Sequence, residues 1–427
     1  LQSRLKPPFH DMRGEYDKID FSMSNRTISV DSIQSAIQIP SLYDLTPEQL
    51  TKQLVEWGEP AFRAKQIWRW LYQQFVQDID EMSDLSKPLR GRLKESFALR
   101  RIAVVLAQKS SDGWTRKWLL QLPDGSEIET VLMEYDGIRR TACISSQAGC
   151  AMNCSFCATG QMGFLRNLRA GEIIEQVIWV ARELAKTRSG PGGVDHDRLS
   201  NLVFMGMGEP FANYSNAMEA VRRLMHPEAE GGFGLGARRI TVSTVGLVPG
   251  IRKFTEEDTQ VNLAVSLHAA TDELRNQLVP INIKYPLKDV IKATREYIIK
   301  TNRRISFEWA LIEGVNDSVE QATALVELVR QTTEPVDAPN NAGNNSLSRR
   351  RRENAARAPN PLRSLIHINM IPLNPTQGFR GAASQRERIT RFREVLDKAG
   401  IPNTVRVRRG IDIAAGCGQL RQQAENK

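Results

Sequence analysis

The stretch CISSQAGCAMNCSFCATG, residues 143–160, decides how the chain is read. It holds four of the five cysteines, and three of them, Cys150, Cys154 and Cys157, are spaced C-x3-C-x2-C. Cys143 stands just upstream, and Cys417 lies near the far end of the 427 residues. A lone buried cysteine behaves as a small apolar side chain, but three at this spacing beside Gly149, Asn153 and Ser155 do not look like packed core. Structural zinc takes four ligands, commonly as two pairs from separate segments. No second pair exists here, and the five histidines are scattered. Clustered thiolates are the normal ligands of an iron–sulfur cluster. Three of them hold three irons of a 4Fe-4S cubane; an enzyme leaves the fourth iron to a substrate, whereas an electron carrier fills it.

Downstream of this stretch, apolar runs alternate with helical segments such as GEIIEQVIWVARELAKT. The runs are TACISS, NLVFMGM, RRITVST, VNLAVSLHA, RISFEWALI and LIHINMIPL. Six strand–helix units imply parallel strands joined by right-handed crossovers. Periodicity does not say whether such a sheet closes, but the polar residues favour an open or partial (β/α)6 barrel over a doubly wound sheet. Glu209, Ser243, His268 and Asn374 each fall at or just past the C-terminal end of a predicted strand, where barrel enzymes build their sites.

Upstream, residues 1–40 are polar and aperiodic and read as a flexible leader. Residues 41–100 form a small helical accessory domain. In LTPEQLTKQLVEWG, Thr46 caps a helix, Pro47 suits its first turn and Gln49 completes a capping box. Leu50, Leu54 and Trp57 share a face, and Gly58 ends it. A second helix, AFRAKQIWRWLYQQF, places Arg63, Lys65 and Arg69 among Trp68, Trp70 and Tyr72. Two readings stand level there: a basic and aromatic grip on RNA, or tryptophans in a small core with exposed arginines. Residues 101–140 read as a β-meander turning at PDGS, and 141–420 as the barrel. Residues 334–361 interrupt it with Asn, Ala, Pro and Arg and read as a disordered basic insertion. Its arginine run, 349–352, reads as a solvated loop ahead of a phosphate contact. Residues 421–427 are a tail.

Composition sets outer limits. No apolar run approaches the roughly 20 residues of a membrane span, and no signal-peptide core opens the sequence, so a cytoplasmic protein away from membranes is expected. Five cysteines in so long a chain fit a reducing compartment better than a disulfide scaffold. A formal charge of +9 and a pI near 9.4 favour a polyanionic partner.

C-x3-C-x2-C opening a run of strand–helix units resembles the radical S-adenosylmethionine (SAM) superfamily. The resemblance implies a 4Fe-4S cluster on Cys150, Cys154 and Cys157, with SAM on the remaining iron and a 5′-deoxyadenosyl radical as the product of its one-electron cleavage. GMGEP, with Gly208 and Glu209, resembles the element that receives the amino group of SAM; the glycines let a backbone approach a ligand. Ser243 in STVG, Ser266, Leu267 and His268 in SLHA, and Asn374 in IPLNP resemble further SAM contacts.

The likeness narrows when FMGMGEP, RRITVSTVGLVP, LAVSLHA, IPLNP and the closing GIDIAAGCGQL are taken together. In order and spacing they are similar to the RlmN-type methyltransferases, which act on adenine C2 in 23S ribosomal RNA and in the tRNA anticodon loop. The likeness spans roughly residues 42–420. It departs from the pattern at the 334–361 insertion and at Gly416, where the family usually has alanine. The resemblance implies that Cys417 takes a methyl group from one SAM and that a second SAM supplies the radical. It further implies that Cys143 resolves the RNA adduct as a disulfide and that Glu129 in EIETV accepts the C2 proton. Chemistry supports this. Adenine C2 is electron-poor, so polar methyl transfer is unfavourable, and a thiolate is the natural carrier of the carbon.

Extrusion of the adenine costs a few kcal/mol, and the candidate grips on RNA are the second helix and Arg406, Arg408 and Arg409 in TVRVRRG. An external electron donor of flavodoxin or ferredoxin type and a monomeric state are expected. Two alternatives remain. A sister enzyme methylates the same ribosomal adenine at C8 and shares the cysteines. A non-catalytic iron–sulfur RNA-binding sensor is the other, although it leaves Cys417 without a purpose.

Overall fold

The computed structural model describes residues 39–99, 101–135, 139–186, 198–333, 361–374, 376, 378–406, 410, 413 and 419. Residues 1–38 of the expected leader, 334–360 of the insertion, Arg408, Arg409, Cys417 and the 421–427 tail lie outside the described residues.

Twelve strands are described: β1 (Ala103–Lys109), β2 (Thr115–Gln121), β3 (Glu127–Tyr135), β4 (Arg139–Cys143), β5 (Gln147–Gly149), β6 (Phe164–Asn167), β7 (Asn201–Phe204), β8 (Ile240–Thr244), β9 (Asn262–Ser266), β10 (Ile305–Leu311), β11 (Ile366–Pro372) and β12 (Asn403–Val405). Ten of them form one sheet in the order β1-β2-β3-β4-β7-β8-β9-β10-β11-β12. The first four run antiparallel as the meander, and β4 then starts a parallel series through β12. Within the series, order in the sheet follows order in the chain. A doubly wound sheet would reverse direction partway; this one does not. Among the described residues no pairing joins β12 to β1, so the fold is an open, partial α/β barrel whose sheet the meander extends.

Strand alternation sorts the two faces. Trp118, Leu120, Ile128, Leu132, Ala142, Leu202, Phe204, Val242, Leu263, Val265, Phe307, Trp309, Ile368 and Met370 join the main apolar core. That face carries the helices: Thr130 donates to Gln176 of the Ala170–Lys186 helix (2.9 Å), and Trp309 packs on Phe392 of the Arg386–Lys398 helix (5.6 Å). The opposite, inner face receives the residues between them. These include Lys117, Glu129, Cys143, Ser243, Ser266, Glu308 and Asn369. One side of the sheet is therefore made for stability and the other for polar chemistry.

The N-terminal helices follow their local signals. Thr46 caps the Pro47–Glu56 helix and Gln49 closes the capping box. Leu50 and Leu54 are fully buried, and Gly58 takes φ +80° just beyond the end. In the Phe62–Tyr72 helix the core reading of the aromatic residues prevails. Trp68 and Tyr72 are buried and stacked at 4.5 Å, and Trp70 donates to Asp84 (2.5 Å). Arg63 is also engaged, with Gln66 (2.8 Å) and the Asp84 carbonyl (3.0 Å), whereas Lys65 and Arg69 are exposed. A third helix, Lys87–Ser96, starts at a Ser86 cap.

Both ends of this helical segment are fastened at one place on the barrel. The Glu175 carboxylate accepts from Ser41 Oγ (3.2 Å) and from the backbone N–H groups of Arg101 (2.9 Å) and Ile102 (3.2 Å). Asp44 pairs with Arg169 (3.0 Å), and Arg223 donates to the carbonyls of Tyr43 and Leu45.

Candidate active site

The cysteine loop is held by the short hairpin of β5 and β6. Gly149 takes φ +75°, and a Cβ there would stand 2.0 Å from the Gly163 oxygen. Only glycine fits. Directly after it, the Cys150 N–H donates to that same carbonyl at 2.7 Å. Asn153, at φ +50°, turns the chain inside the motif, and Ser155 N–H reaches the Leu278 carbonyl (3.1 Å). Gln161 ties the loop to Ser155 O (2.8 Å) and to Thr376 Oγ1 (3.0 Å) beyond β11.

Met152, Cys154 and Phe156 pack on a second apolar cluster of Val245, Ala269, Leu278, Val279, Ile312 and Leu373. Val245, Ala269, Ile312 and Leu373 follow β8, β9, β10 and β11, so the loop lies over the C-terminal ends of the parallel strands. That is the rim where the sequence placed the polar residues.

Those residues are locked to one another through the backbone. Glu209 is buried; its two carboxylate oxygens accept from Phe211 N (3.0 Å) and Val245 N (2.8 Å), tying the end of β7 to the end of β8. Its own N–H donates to Gln147 Oε1 at 2.8 Å. Burial pushes the Glu209 carboxyl up to about 7 against the pull of those backbone bonds. Gly208 sits at φ +99° with Gln147 Cβ only 2.5 Å from where its own Cβ would be. Ser243 Oγ donates to the Phe204 carbonyl (2.6 Å). Ser266 is half-buried at the end of β9, Leu267 is fully buried just beyond it, and Asn374 is half-buried two residues past β11.

His268 takes φ +59°, is buried, and stands edge-on to Phe156 at 4.8 Å. Its Nδ1 accepts from Ala310 N (3.0 Å). Burial, aided by Arg275, holds its pKa down to about 3. The imidazole is neutral at pH 7, and with Nδ1 accepting, the proton resides on Nε2.

Three polar residues that the sequence reading did not single out complete the rim. Arg275, fully buried, donates to the carbonyls of Val245 (2.6 Å), Ser266 (3.0 Å) and Leu267 (3.0 Å), and to Asn282 Oδ1 (2.7 Å). Asn316 donates to the carbonyls of His268 (2.7 Å) and Ala310 (2.6 Å). Ser145 accepts from Met207 N (3.0 Å) and donates to the Glu129 carbonyl (2.6 Å), joining the Gly208 loop to the meander.

Glu129 and Cys143 meet on the inner face. Their side chains point the same way from β3 and β4, with Val131 opposite Cys143 in register. Glu129 is paired with Lys117 at 2.9 Å, and neither side chain is more than 2% exposed. Burial pushes the Cys143 thiol up to about 12; a Met205 backbone hydrogen bond and Lys117 pull it down, and Glu129 pushes it further up. Glu129 is also felt at Cys157. The loop, the upstream cysteine and the carboxylate therefore share one site.

The donor set suits a cluster. Cys150, Cys154 and Cys157 are free thiols; Cys157 raises the pKa of Cys150 and Cys154, and Cys150 also raises that of Cys154. Burial pushes all three up, Cys150 to about 12, so a bound cation is needed to keep them as thiolates. Among the described residues no three His, Cys, Asp or Glu groups close on a single ion.

Comparison with known proteins agrees with this geometry. Residues 41–99 match the model of the ribosomal RNA large subunit methyltransferase N-terminal domain, and residues 144–326 match that of the radical SAM superfamily. A probable dual-specificity RNA methyltransferase RlmN of Chloroflexus aurantiacus is 49% identical over 387 residues, covering 90% of this chain and 93% of its own. The dual-specificity RNA methyltransferase RlmN 1 of Myxococcus xanthus is 44% identical, with 91% and 96% covered. The crystal structure of a radical SAM methyltransferase from Sphaerobacter thermophilus superposes with a TM-score of 0.77 at 44% identity, covering 89% of this chain and 98% of that one.

Proposed function

The chain belongs to the RlmN family of radical SAM methyltransferases, and from that premise we propose that it methylates C2 of adenine in 23S ribosomal RNA and in the tRNA anticodon loop. The observation that carries the proposal is the convergence of Glu129, Cys143 and the Cys150–Cys154–Cys157 loop on one face at the C-terminal mouth of the sheet. When bound, the cluster and two molecules of SAM supply the one-electron chemistry and the methyl carbon.

The chain's own residues do the rest. Cys150, Cys154 and Cys157 hold the cluster. Gly208 and Glu209 receive the amino group of SAM; the buried carboxylate is already aimed by two backbone N–H groups and has lone pairs left. Ser243, Ser266, Leu267, His268 and Asn374 border the rest of SAM, with His268 offering a hydrogen-bond donor at Nε2. Cys417, outside the described residues, carries the carbon to the base. Glu129 accepts the proton that leaves C2, and the unpaired electron left on the ring would pass to the one-electron acceptor that the cluster supplies when bound. Cys143 then attacks the Cys417 sulfur. The S–S bond forms, the C–S bond breaks with its electron pair on carbon, and that carbon takes up the proton that the thiol gave up. An electron donor of flavodoxin or ferredoxin type, a monomeric state and a cytoplasmic setting complete the proposal. Among the described residues no helix is long and apolar enough to cross a membrane.

The test is anaerobic reconstitution with iron, sulfide, SAM and reductant, followed by nucleoside mass spectrometry of added tRNA and a 23S RNA fragment. Formation of 2-methyladenosine together with 5′-deoxyadenosine is the expected result. 8-Methyladenosine alone would transfer the activity to the other ring carbon, and absence of 5′-deoxyadenosine would leave a binding protein.

A further inference from the structure

We infer that Lys117 is a positioning residue for the release of the product: its ammonium group holds the Glu129 carboxylate on the inner face and, once that carboxylate takes up a proton, serves as the charge partner of Cys143. The inference rests on the proposed roles of Glu129 and Cys143.

Lysine is almost never fully buried without a strong reason, yet the Lys117 side chain is 0% exposed and its Nζ lies 2.9 Å from Glu129 Oε2. Stability does not explain the pair, because two buried charges often hold a fold no better than apolar side chains of the same size. Nor is the pair embedded between sheet and helices. The flanking Trp118, Leu120, Ile128 and Leu132 enter that layer, so alternation turns Lys117 and Glu129 to the inner face.

Register fixes the rest. Lys117 lies opposite Val131, and Val131 lies opposite Cys143. Lysine and cysteine are therefore on one row, two strand spacings or about 9.6 Å apart at the backbone. The two charges already act on the thiol in opposite senses, Lys117 lowering and Glu129 raising its pKa. Proton uptake by Glu129 removes the opposing negative charge and leaves the favourable positive one. The pair thus sets an order of events: deprotonation of the base first, ionisation of Cys143 second. Premature attack on the Cys417 sulfur, before the base is ready to leave, is disfavoured while Glu129 is charged.

Lys117→Gln keeps a polar contact and removes the charge; Lys117→Arg keeps the charge. Both are reconstituted beside the wild type in single turnovers with tRNA, and three quantities are read: 5′-deoxyadenosine, RNA–protein adduct on a denaturing gel, and released 2-methyladenosine. For Lys117→Gln, the ratio of adduct to released product per 5′-deoxyadenosine rises about tenfold or more, the equivalent of about one pKa unit of lost charge stabilisation at the Cys143 thiolate. Lys117→Arg restores most of the release. An unchanged ratio in Lys117→Gln overturns the inference. So does equal failure of both variants with lost iron or lowered thermal stability, because the pair would then be a structural tie. A wild-type enzyme that forms 5′-deoxyadenosine but neither adduct nor 2-methyladenosine would instead remove the underlying reading and, with it, the inference.

Discussion

Gly208 shows what a single residue does at this rim. Its φ of +99° is a region that L side chains rarely adopt, and a Cβ would stand 2.5 Å from Gln147 Cβ and 2.7 Å from Gln147 N. Gln147 is also the acceptor that orients the Glu209 backbone. Gly208→Ala therefore strains the backbone by roughly 1–3 kcal/mol and shifts the carboxylate proposed to bind SAM. The expected outcome is SAM affinity weakened about tenfold or more, roughly the equivalent of 1.4 kcal/mol, by equilibrium dialysis of the reconstituted protein with iron content unchanged. Undiminished binding would show that the loop accommodates a side chain. GMGEP was legible because two glycines beside an acid at a strand end are uncommon. Arg275 was not: in DELRNQL it looks like any surface arginine of a short helix, and only the fold shows that it gathers three strand-end carbonyls. Lys117 lay between these cases. The PDGS turn fixes the hairpin register, so Lys117 opposite Val131 and diagonal to Glu129 could have been read from the sequence.

Among the elements, the Ala170–Lys186 helix has two duties. Its Gln176 faces the sheet, accepting from Ser145 N (2.8 Å) and donating to Ser145 O (3.0 Å). Its Glu175 faces the N-terminal helices and binds Ser41, Arg101 and Ile102. Burial pushes the Glu175 carboxyl from 4.5 up to about 7, although three hydrogen bonds oppose the shift. An acid raised in the fold keeps its proton there longer than in the unfolded chain. Its ionisation therefore costs stability as the pH climbs from about 4.5 to about 7, with a slope of at most about 1.4 kcal/mol per pH unit. Glu175→Gln accepts from the same backbone groups without that penalty. Its thermal midpoint should equal the wild type's near pH 4.5 and exceed it at pH 8. A variant less stable by the same margin at both pH values would refute this account. Element type was easier to read than element role. Six of the seven parallel strands, β4 and β7 to β11, and the first helix were plain in apolar runs and caps, whereas the β5–β6 hairpin, QAG with FLRN, is too short and polar to show periodicity.

At the scale of the whole molecule, strand order does the organising. Because sequence order and sheet order coincide, the helices collect on one face and the polar side chains on the other. The sequence indicated the strands but not which face each residue took, since strands buried on both sides show no clean alternation. The net charge of +9 must then be assigned to surfaces. The structure removes Trp68 and Tyr72 from the Phe62–Tyr72 helix as stacking groups and engages Arg63 internally. Lys65 and Arg69, four residues apart on one exposed face, remain as its phosphate-directed pair. If they grip the proposed RNA substrate, each neutralised phosphate contributes to the salt dependence of binding. The double variant Lys65→Glu, Arg69→Glu should weaken tRNA binding for every sequence alike and lower the slope of log affinity against log salt by about two. Methylation per bound RNA should be unaffected, because the pair lies on the helical segment and not at the strand-end rim. A slope equal to the wild type's would exclude this helix from the RNA interface and shift attention to Arg406, exposed beyond β12 and donating to Asn369 Oδ1 (2.9 Å).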